Sequence, residues 1–402
     1  MNVLMMTIYY PDECYQEVAS LSKVGMQNQI NSYQKAFMEG VEKCLSSGES
    51  LHVVNALPVG VFPHQYAKCF LKRASYEKGK VQELGGINIP YFKQKMRQNR
   101  AARALLEWVE ASPDNRTVLV YTLYLPYLKA IAQVKKKYPD LKAAVIITDL
   151  PNEYGLSSGR KGLMKKLERI MGNEQIKLCK SMDGFVLLTK YMSEIIPCEG
   201  KETIIIEGLI QKGADIPNAA TAEDGHPFEV LYTGMLSVEH GTEDLLNAFA
   251  AMPDIQLRIC GTGIMEEETR EFASKHENIV FEGFVPYEKA LALQAKANAL
   301  INPRLLSGLS TRYSFPSKTL EYMRSGKPVL CYKLDGIPED YDDYLCYIPT
   351  EGPAGIQQAV RQLQALTPKE REQIGQNARN YVLAHKNPTA QCGRLVEWLR
   401  SL

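Results

Sequence analysis

Residues 314–328, SFPSKTLEYMRSGKP, place a hydroxyl, a cation and a carboxylate within five positions. Pro316 and Ser317 suit the first turn of a helix, and Gly326 followed by Pro328 ends it. The spacing predicts a helix of about ten residues. A helix amino end carries unpaired N–H groups and the positive end of the backbone dipole, which favours phosphate. Ser317 adds a hydroxyl there and Lys318 a positive charge. Glu321 falls one turn further along, on the face of Ser317. A carboxylate at that point can accept two hydrogen bonds from ribose hydroxyls. The same residues also describe an ordinary capped helix with a solvated Lys–Glu pair.

Asp149 is a second candidate. It ends the apolar run AAVIITDL and is followed by Pro151. A carboxylate at the carboxyl end of a parallel strand faces the ligand crevice. It can act as a base or orient an acceptor hydroxyl there, or simply cap the next turn. Asn28 and Gln29, at the start of a predicted helix over 27–44, are polar candidates of the same kind.

Other chemistries find no support. The six His are scattered, with no pair at metal-ligand spacing, so no metal site is expected. No nucleophile elbow or P-loop is present, and Gly261-Thr262-Gly263 lacks the third glycine of a dinucleotide fingerprint. The nine Cys include no Cys-x-x-Cys pair, which fits a reducing compartment rather than a disulfide framework.

These side chains must be carried by alternating strands and helices. Apolar runs at 2–10, 51–57, 117–124, 143–150, 184–189 and 203–208 are separated by amphipathic stretches such as 97–111 and 126–138. Continuous apolar runs of this kind belong to parallel strands buried on both faces. Residues 209–227 are polar and rich in Gly, Pro, Ala and Asp, which is linker chemistry. A second set of strands follows at 228–234, 255–261, 278–284, 298–304, 327–332 and 344–349, with helices at 241–250, 264–275, 287–296, 317–325 and 354–364. The segment 388–402 reads as a terminal amphipathic helix. The expected fold is α/β, with two Rossmann-like parallel-sheet domains facing across a cleft. The first domain is 1–208 plus 388–402, the linker 209–227, and the second domain 228–387.

Composition narrows the class. The chain has 402 residues, 45% hydrophobic and 23% charged, as in a globular protein. Lys+Arg 47 against Asp+Glu 46 gives a net charge of +1, which argues against a nucleic-acid partner. No run approaches the roughly 18 apolar residues of a membrane span. The first residues have no basic leader region and read as a buried strand, so a cytoplasmic protein is expected. Residues 160–180 form a basic helix with Leu163, Leu167, Ile170 and Met171 on one face and Lys161, Lys165, Lys166 and Arg169 beside them. That pattern fits a surface helix with one face on the core, or peripheral contact with an anionic membrane.

The second half resembles the nucleotide-binding domain of family 4 glycosyltransferases with the GT-B fold, in the subgroup that makes bacterial surface polysaccharides. The resemblance rests on VLYTGMLSVEHGTEDLLNAF (230–249), LRICGTG (257–263), IVFEGFVPYEKALALQAKANALINPR (279–304) and SFPSKTLEYMRSGKPVL (314–330), in that order. It implies that Glu321 holds the donor ribose and that Ser317, Lys318 and Arg304 meet the diphosphate. It places the base near Phe284 and Val285, and the phosphates near Gly234 and the turn after it, with Gly263 beside them. The Asp-Leu-Pro end of the strand at Asp149 is also common in the subgroup. Three positions depart from the family. Tyr313 stands where the first Glu of its Glu-x7-Glu motif is expected, and Met235 and His240 replace its Arg-x4-Lys pair. Arg304, Arg312 and Lys318 are then left to hold the diphosphate.

The expected activity is therefore glycosyl transfer. A sugar passes from a nucleoside-diphosphate sugar, a UDP-sugar first, to a glycan or lipid-linked glycan. The resemblance implies retention of configuration, no metal and no separate cofactor, within bacterial capsule, O-antigen or exopolysaccharide synthesis. The alternatives are a sugar-nucleotide 2-epimerase of the same fold, or a non-catalytic sugar-nucleotide binder or scaffold.

Overall fold

The computed structural model describes residues 1–26, 28–112, 114–151, 162–210, 227–307 and 309–402. The chain divides into two compact units, Met1–Gln211 with Pro388–Leu402, and Lys212–Asn387.

The first unit is built on one large sheet. Its strands are β1 (Asn2–Thr7), β2 (Ser50–Asn55), β3 (Phe70–Leu71), β4 (Ala74–Tyr76), β5 (Val81–Glu83), β6 (Gly86–Ile87), β7 (Arg116–Tyr121), β8 (Lys142–Ile147), β9 (Gly184–Leu187) and β10 (Glu202–Ile205). The eight-stranded sheet runs β10-β9-β8-β7-β1-β2-β5-β4, and β3 pairs with β6 separately. All neighbours in the large sheet are parallel except β5 and β4. Helices α1 (Asp12–Leu21), α2 (Asn28–Cys44), α3 (Phe92–Ala111), α4 (Leu125–Lys135) and α5 (Leu163–Cys179) connect them. From β1 the chain builds outward through β2 and β5, then returns to the other side of β1 with β7. The order reverses there, which marks the ligand crevice of such sheets.

All six apolar runs of this half are strands. The sequence signal fails over 56–91, where β3 to β6 are only two or three residues long. Such strands are too short for a period to register. Helix α1 has no counterpart among the expected helices. Pro11 caps α1, which begins at Asp12. The C-terminal helix Pro388–Ser401 buries Cys392, Leu395, Val396 and Leu399 in the same core as Phe37 and Val41 of α2. That i, i+3, i+4, i+7 spacing is one helix face.

The second unit has strands β11 (Phe228–Leu236), β12 (Ile255–Gly263), β13 (Ile279–Gly283), β14 (Ala299–Asn302), β15 (Val329–Cys331) and β16 (Cys346–Tyr347). They form one six-stranded sheet in the order β13-β12-β11-β14-β15-β16. Every pair is parallel. Its helices are α6 (Thr242–Ala250), α7 (Glu266–Lys275), α8 (Tyr287–Lys296), α9 (Leu309–Arg312), α10 (Ser317–Arg324), α11 (Pro353–Ala365) and α12 (Pro368–His385). Counted in chain order, this is the 3-2-1-4-5-6 Rossmann arrangement, with its reversal between β11 and β14. The sequence reading left α12 out. Its start is a capping box, Thr367 with Glu370.

Candidate functional site

The reversal point of the second unit collects three chain segments. The ladder between β11 and β14 pairs Val230 with Ala299 and Leu231 with Leu300. Beyond it the two chains leave the sheet. After β11 comes Ser237, then a short 3-10 turn Val238–His240, then Gly241. After β14 come Pro303 and Arg304. The two loops touch. Leu305 N donates to Glu239 O at 3.2 Å. A Cβ on Gly241, whose φ is +73°, would lie 2.0 Å from Pro303 O. Only glycine fits that close approach and that backbone region.

His240 and Arg304 sit on these two loops. His240 Nδ1 is 2.7 Å from Ser237 Oγ, and Ser237 N donates to Thr242 Oγ1 at 3.0 Å. Burial pushes the imidazole pKa down, and the Arg304 charge pushes it further the same way. Burial also lowers Arg304, against the charge of Glu239. A guanidinium and an imidazole held neutral near pH 7.5 thus share one crevice in a partly dry setting.

The third segment is α10. Its N-cap is Pro316, which offers no side-chain cap, and Thr319 N donates to Pro316 O at 2.8 Å. Ser317 there is exposed and Lys318 half-buried. Lys318 Nζ lies 3.2 and 3.3 Å from the two carboxylate oxygens of Glu321. Two buried contacts seat the helix at the crevice. Asn302 Nδ2 donates to Thr319 Oγ1 at 3.3 Å, and Thr233 N donates to Tyr322 OH at 2.7 Å. Arg312 is engaged by Asp335 at 3.1 Å. Tyr313 is buried.

Gly234 and Gly263 lie in the paired carboxyl ends of β11 and β12. Strand β11 continues to Leu236, so the turn nearest the crevice is Ser237–Gly241 and not the one after Gly234. Gly234 pairs with Gly261, and Leu236 with Gly263. A Cβ on Gly261 would fall 1.8 Å from Gly234 O, and one on Gly263 would fall 2.1 Å from Leu236 O. The glycines let β11 and β12 run close at their carboxyl ends. Exposed apolar side chains follow those ends: Ile264 is 87% and Phe284 78% exposed, with Met235, Tyr287 and Leu306 also exposed. Val285 is half-buried beside Phe284.

Asp149 belongs to the first unit. It is exposed, just past the carboxyl end of β8. Thr148 Oγ1 is 3.2 Å from Asp149 Oδ2 and 3.2 Å from Thr122 Oγ1. Thr122 follows β7 beside the reversal point and has φ +61°. A β-branched residue in that region is strained, and such strain gathers at functional positions. No sequence signal announced it.

Sequence reasoning also missed a buried polar cluster at the carboxyl ends of β2 and β5. Glu83 accepts from Asn55 Nδ2 at 2.7 Å and from the N–H groups of Leu57 and Gly85 at 3.2 Å. Arg97 of α3 is buried near it and donates to Leu57 O, and Lys93, buried one turn before Arg97, donates to Val59 O. Burial raises the Glu83 pKa to about 7, against the pull of Arg97. Burial lowers Lys93 to about 7, and Arg97 adds to the effect.

The basic helix expected over 160–180 is α5. Lys161 and the side chains of Leu163 and Met164 lie outside the described residues, as do the side chains of Asn28 and Gln29. Leu167, Ile170 and Met171 are exposed rather than turned to the core. Lys165, Lys166 and Arg169 are exposed with them. Among the described residues, no helix is long and apolar enough to cross a membrane, and no group of three His, Cys, Asp or Glu could hold a metal ion.

Comparison with known proteins agrees with the architecture. Residues 227–365 match the family described as Glycosyl transferases group 1. No curated protein sequence matches the chain. The fold is similar to sucrose-phosphate synthase from Thermosynechococcus elongatus, at 14% identity and TM-score 0.63, covering 100% of this chain and 99% of that one. It is similar to the lipopolysaccharide outer core galactosyltransferase WaaB, at 14% identity and TM-score 0.61, with 100% and 99% covered. It is also similar to Anabaena Alr3699/HepE in complex with UDP, at 12% identity and TM-score 0.59, with 100% of both chains covered. The α/β architecture of two parallel-sheet domains is that of GT-B glycosyltransferase structures.

Proposed function

We propose that the chain is a retaining, metal-independent glycosyltransferase of the family 4 type. It moves a sugar from a nucleoside-diphosphate sugar, a UDP-sugar first, to a glycan or lipid-linked glycan of bacterial surface-polysaccharide synthesis. The observation that carries this reading is the reversal point between β11 and β14. His240, Arg304 and the amino end of α10 meet there, next to the Lys318–Glu321 pair. The match of residues 227–365 to a glycosyl transferase family supports the same reading. It favours transfer over the binder and epimerase alternatives.

The chemistry follows from charge. When the glycosidic bond breaks, the departing nucleoside diphosphate gains negative charge on its β-phosphate. The first N–H groups of α10, Lys318 and Arg304 stabilise that charge in place. His240 joins them once protonated. Glu321 accepts from the ribose hydroxyls, and Phe284 and Val285 flank the base. Asp149, at the carboxyl edge of the other sheet, orients the acceptor hydroxyl or takes its proton. The exposed apolar and basic side chains of α5 suit peripheral contact with an anionic lipid surface at the cytoplasmic face, where a lipid-linked acceptor would lie.

A thermal-shift screen of UDP, GDP, ADP and their sugar conjugates tests the donor site. A ligand at 100 times its dissociation constant adds about 2.7 kcal/mol of stability. One nucleotide is expected to raise the unfolding temperature, and Glu321→Ala to abolish that rise. No shift with any of them would overturn the assignment of 314–330.

A further inference from the structure

Glu321 is held from outside its own helix. Gln294, in α8, is 0% exposed, and its Nε2 donates to Glu321 Oε1 at 2.7 Å. A carboxylate has no proton to give, so the amide NH₂ must be the group that faces it. The amide oxygen of Gln294 is then buried with no hydrogen-bond partner. An orphaned carbonyl in a core is disfavoured, and a leucine would fill the same space without one. Packing alone does not call for an amide here. The task that does is at Glu321.

Lys318 is the other group on that carboxylate, 3.2 Å from Oε1 and 3.3 Å from Oε2. It stands in the first turn of α10, where a diphosphate would draw its ammonium away. Gln294 then remains to hold Oε1, and Oε2 is released to accept from a sugar diol. We propose that Gln294 is a positioning residue of the donor site. It fixes the Glu321 carboxylate and so makes the site select ribonucleotides over nucleotides lacking the ribose 2′ and 3′ hydroxyls. This rests on the reading of Glu321 as the ribose acceptor.

The test is calorimetry on the full chain. It uses the tightest-binding diphosphate among UDP, GDP and ADP, and the 2′,3′-dideoxy form of that nucleotide. Wild type is expected to prefer the ribonucleotide by about tenfold or more. Gln294→Leu and Gln294→Met should cut that preference to about threefold or less, while affinity for the dideoxy form stays within about twofold. Combining Gln294→Leu with Glu321→Ala should do no more than Glu321→Ala alone, since Gln294 acts through Glu321. Two variants are used because both replace the amide with an apolar group of similar volume, and circular dichroism confirms that each is folded. If both folded variants keep the full ribose preference, or lose both nucleotides equally, the Gln294 assignment falls while the donor site stands. If wild type binds no nucleotide, the donor-site reading falls and takes this assignment with it.

Discussion

The phenol of Tyr322 brackets the peptide of Thr233. It accepts from Thr233 N at 2.7 Å and donates to Thr233 O at 3.0 Å. Thr233 lies on β11 two residues past the last rung to β14, which pairs Leu231 with Leu300. Where the two strands part, the hydroxyl supplies the pairing that β14 no longer gives. It thereby ties α10 to the mouth of the crevice.

Tyr322→Phe removes both bonds and leaves the buried Thr233 peptide unsatisfied. The expected cost is about 1–3 kcal/mol, read by urea denaturation. Nucleotide affinity should fall with it, because α10 loses its anchor at the site. Unchanged stability would show that water replaces the hydroxyl.

Gly261 faces Gly234 across the β11–β12 ladder, where an added Cβ would come within 1.8 Å of the Gly234 carbonyl oxygen. Gly261→Ala must push the strands apart and is expected to cost about 3 kcal/mol. Gly25→Ala meets nothing within 4 Å and should stay within about 0.5 kcal/mol. Thermal unfolding of the two variants side by side checks the contrast.

Glu83 predicts a pH dependence of stability. Its carboxyl sits at about 7 in the folded unit against the ordinary 4.5. Between those values the folded state keeps a proton that the unfolded state has lost. Stability therefore falls as pH rises from 4.5 to 7, by about 3 kcal/mol in total. Lys93, lowered to about 7 from 10.5, acts on the other side. The unfolded chain holds its proton longer, so stability rises from pH 7 upward. Denaturation across pH 4 to 10 should show a minimum near neutrality. Glu83→Gln should flatten the acid limb and Lys93→Met the alkaline one.

His240 predicts that donor binding responds to pH. Burial and Arg304 hold its pKa below the usual value, so the free site carries a neutral ring at pH 7.5. A bound diphosphate favours the imidazolium. Affinity for a nucleotide sugar, whose diphosphate diester does not titrate in this range, should tighten as pH falls from 7.5 to 6. The limit is about one log unit per pH unit. His240→Lys should remove the slope. Calorimetry across that range decides it, and a slope that survives in His240→Lys would place the proton elsewhere.

Much of the frame was legible because of how parallel sheets are buried. Strands covered on both faces read as unbroken apolar runs, so β1, β2, β7 to β9 and β11 to β14 stand out along the chain. Helix α10 stood out because Pro316 and Gly326 punctuate it. Strands β3 to β6 did not, since two or three residues carry no period. The exposed side of α5 did not either, because an apolar stripe looks the same whether it meets a core or solvent.

By itself the sequence determined the alternating α/β pattern and the Ser317-Lys318-Glu321 helix start. Those signals are local, written in residues within a turn or a strand of one another. The tertiary structure alone decided that Gln294 holds Glu321 from 27 positions away, that Tyr322 closes on Thr233 across 89, and that His240 and Arg304 share one crevice. Each of these pairs exists because strand order reverses between β11 and β14. Strand order is set by which apolar faces are buried together, and no stretch of the chain records it locally.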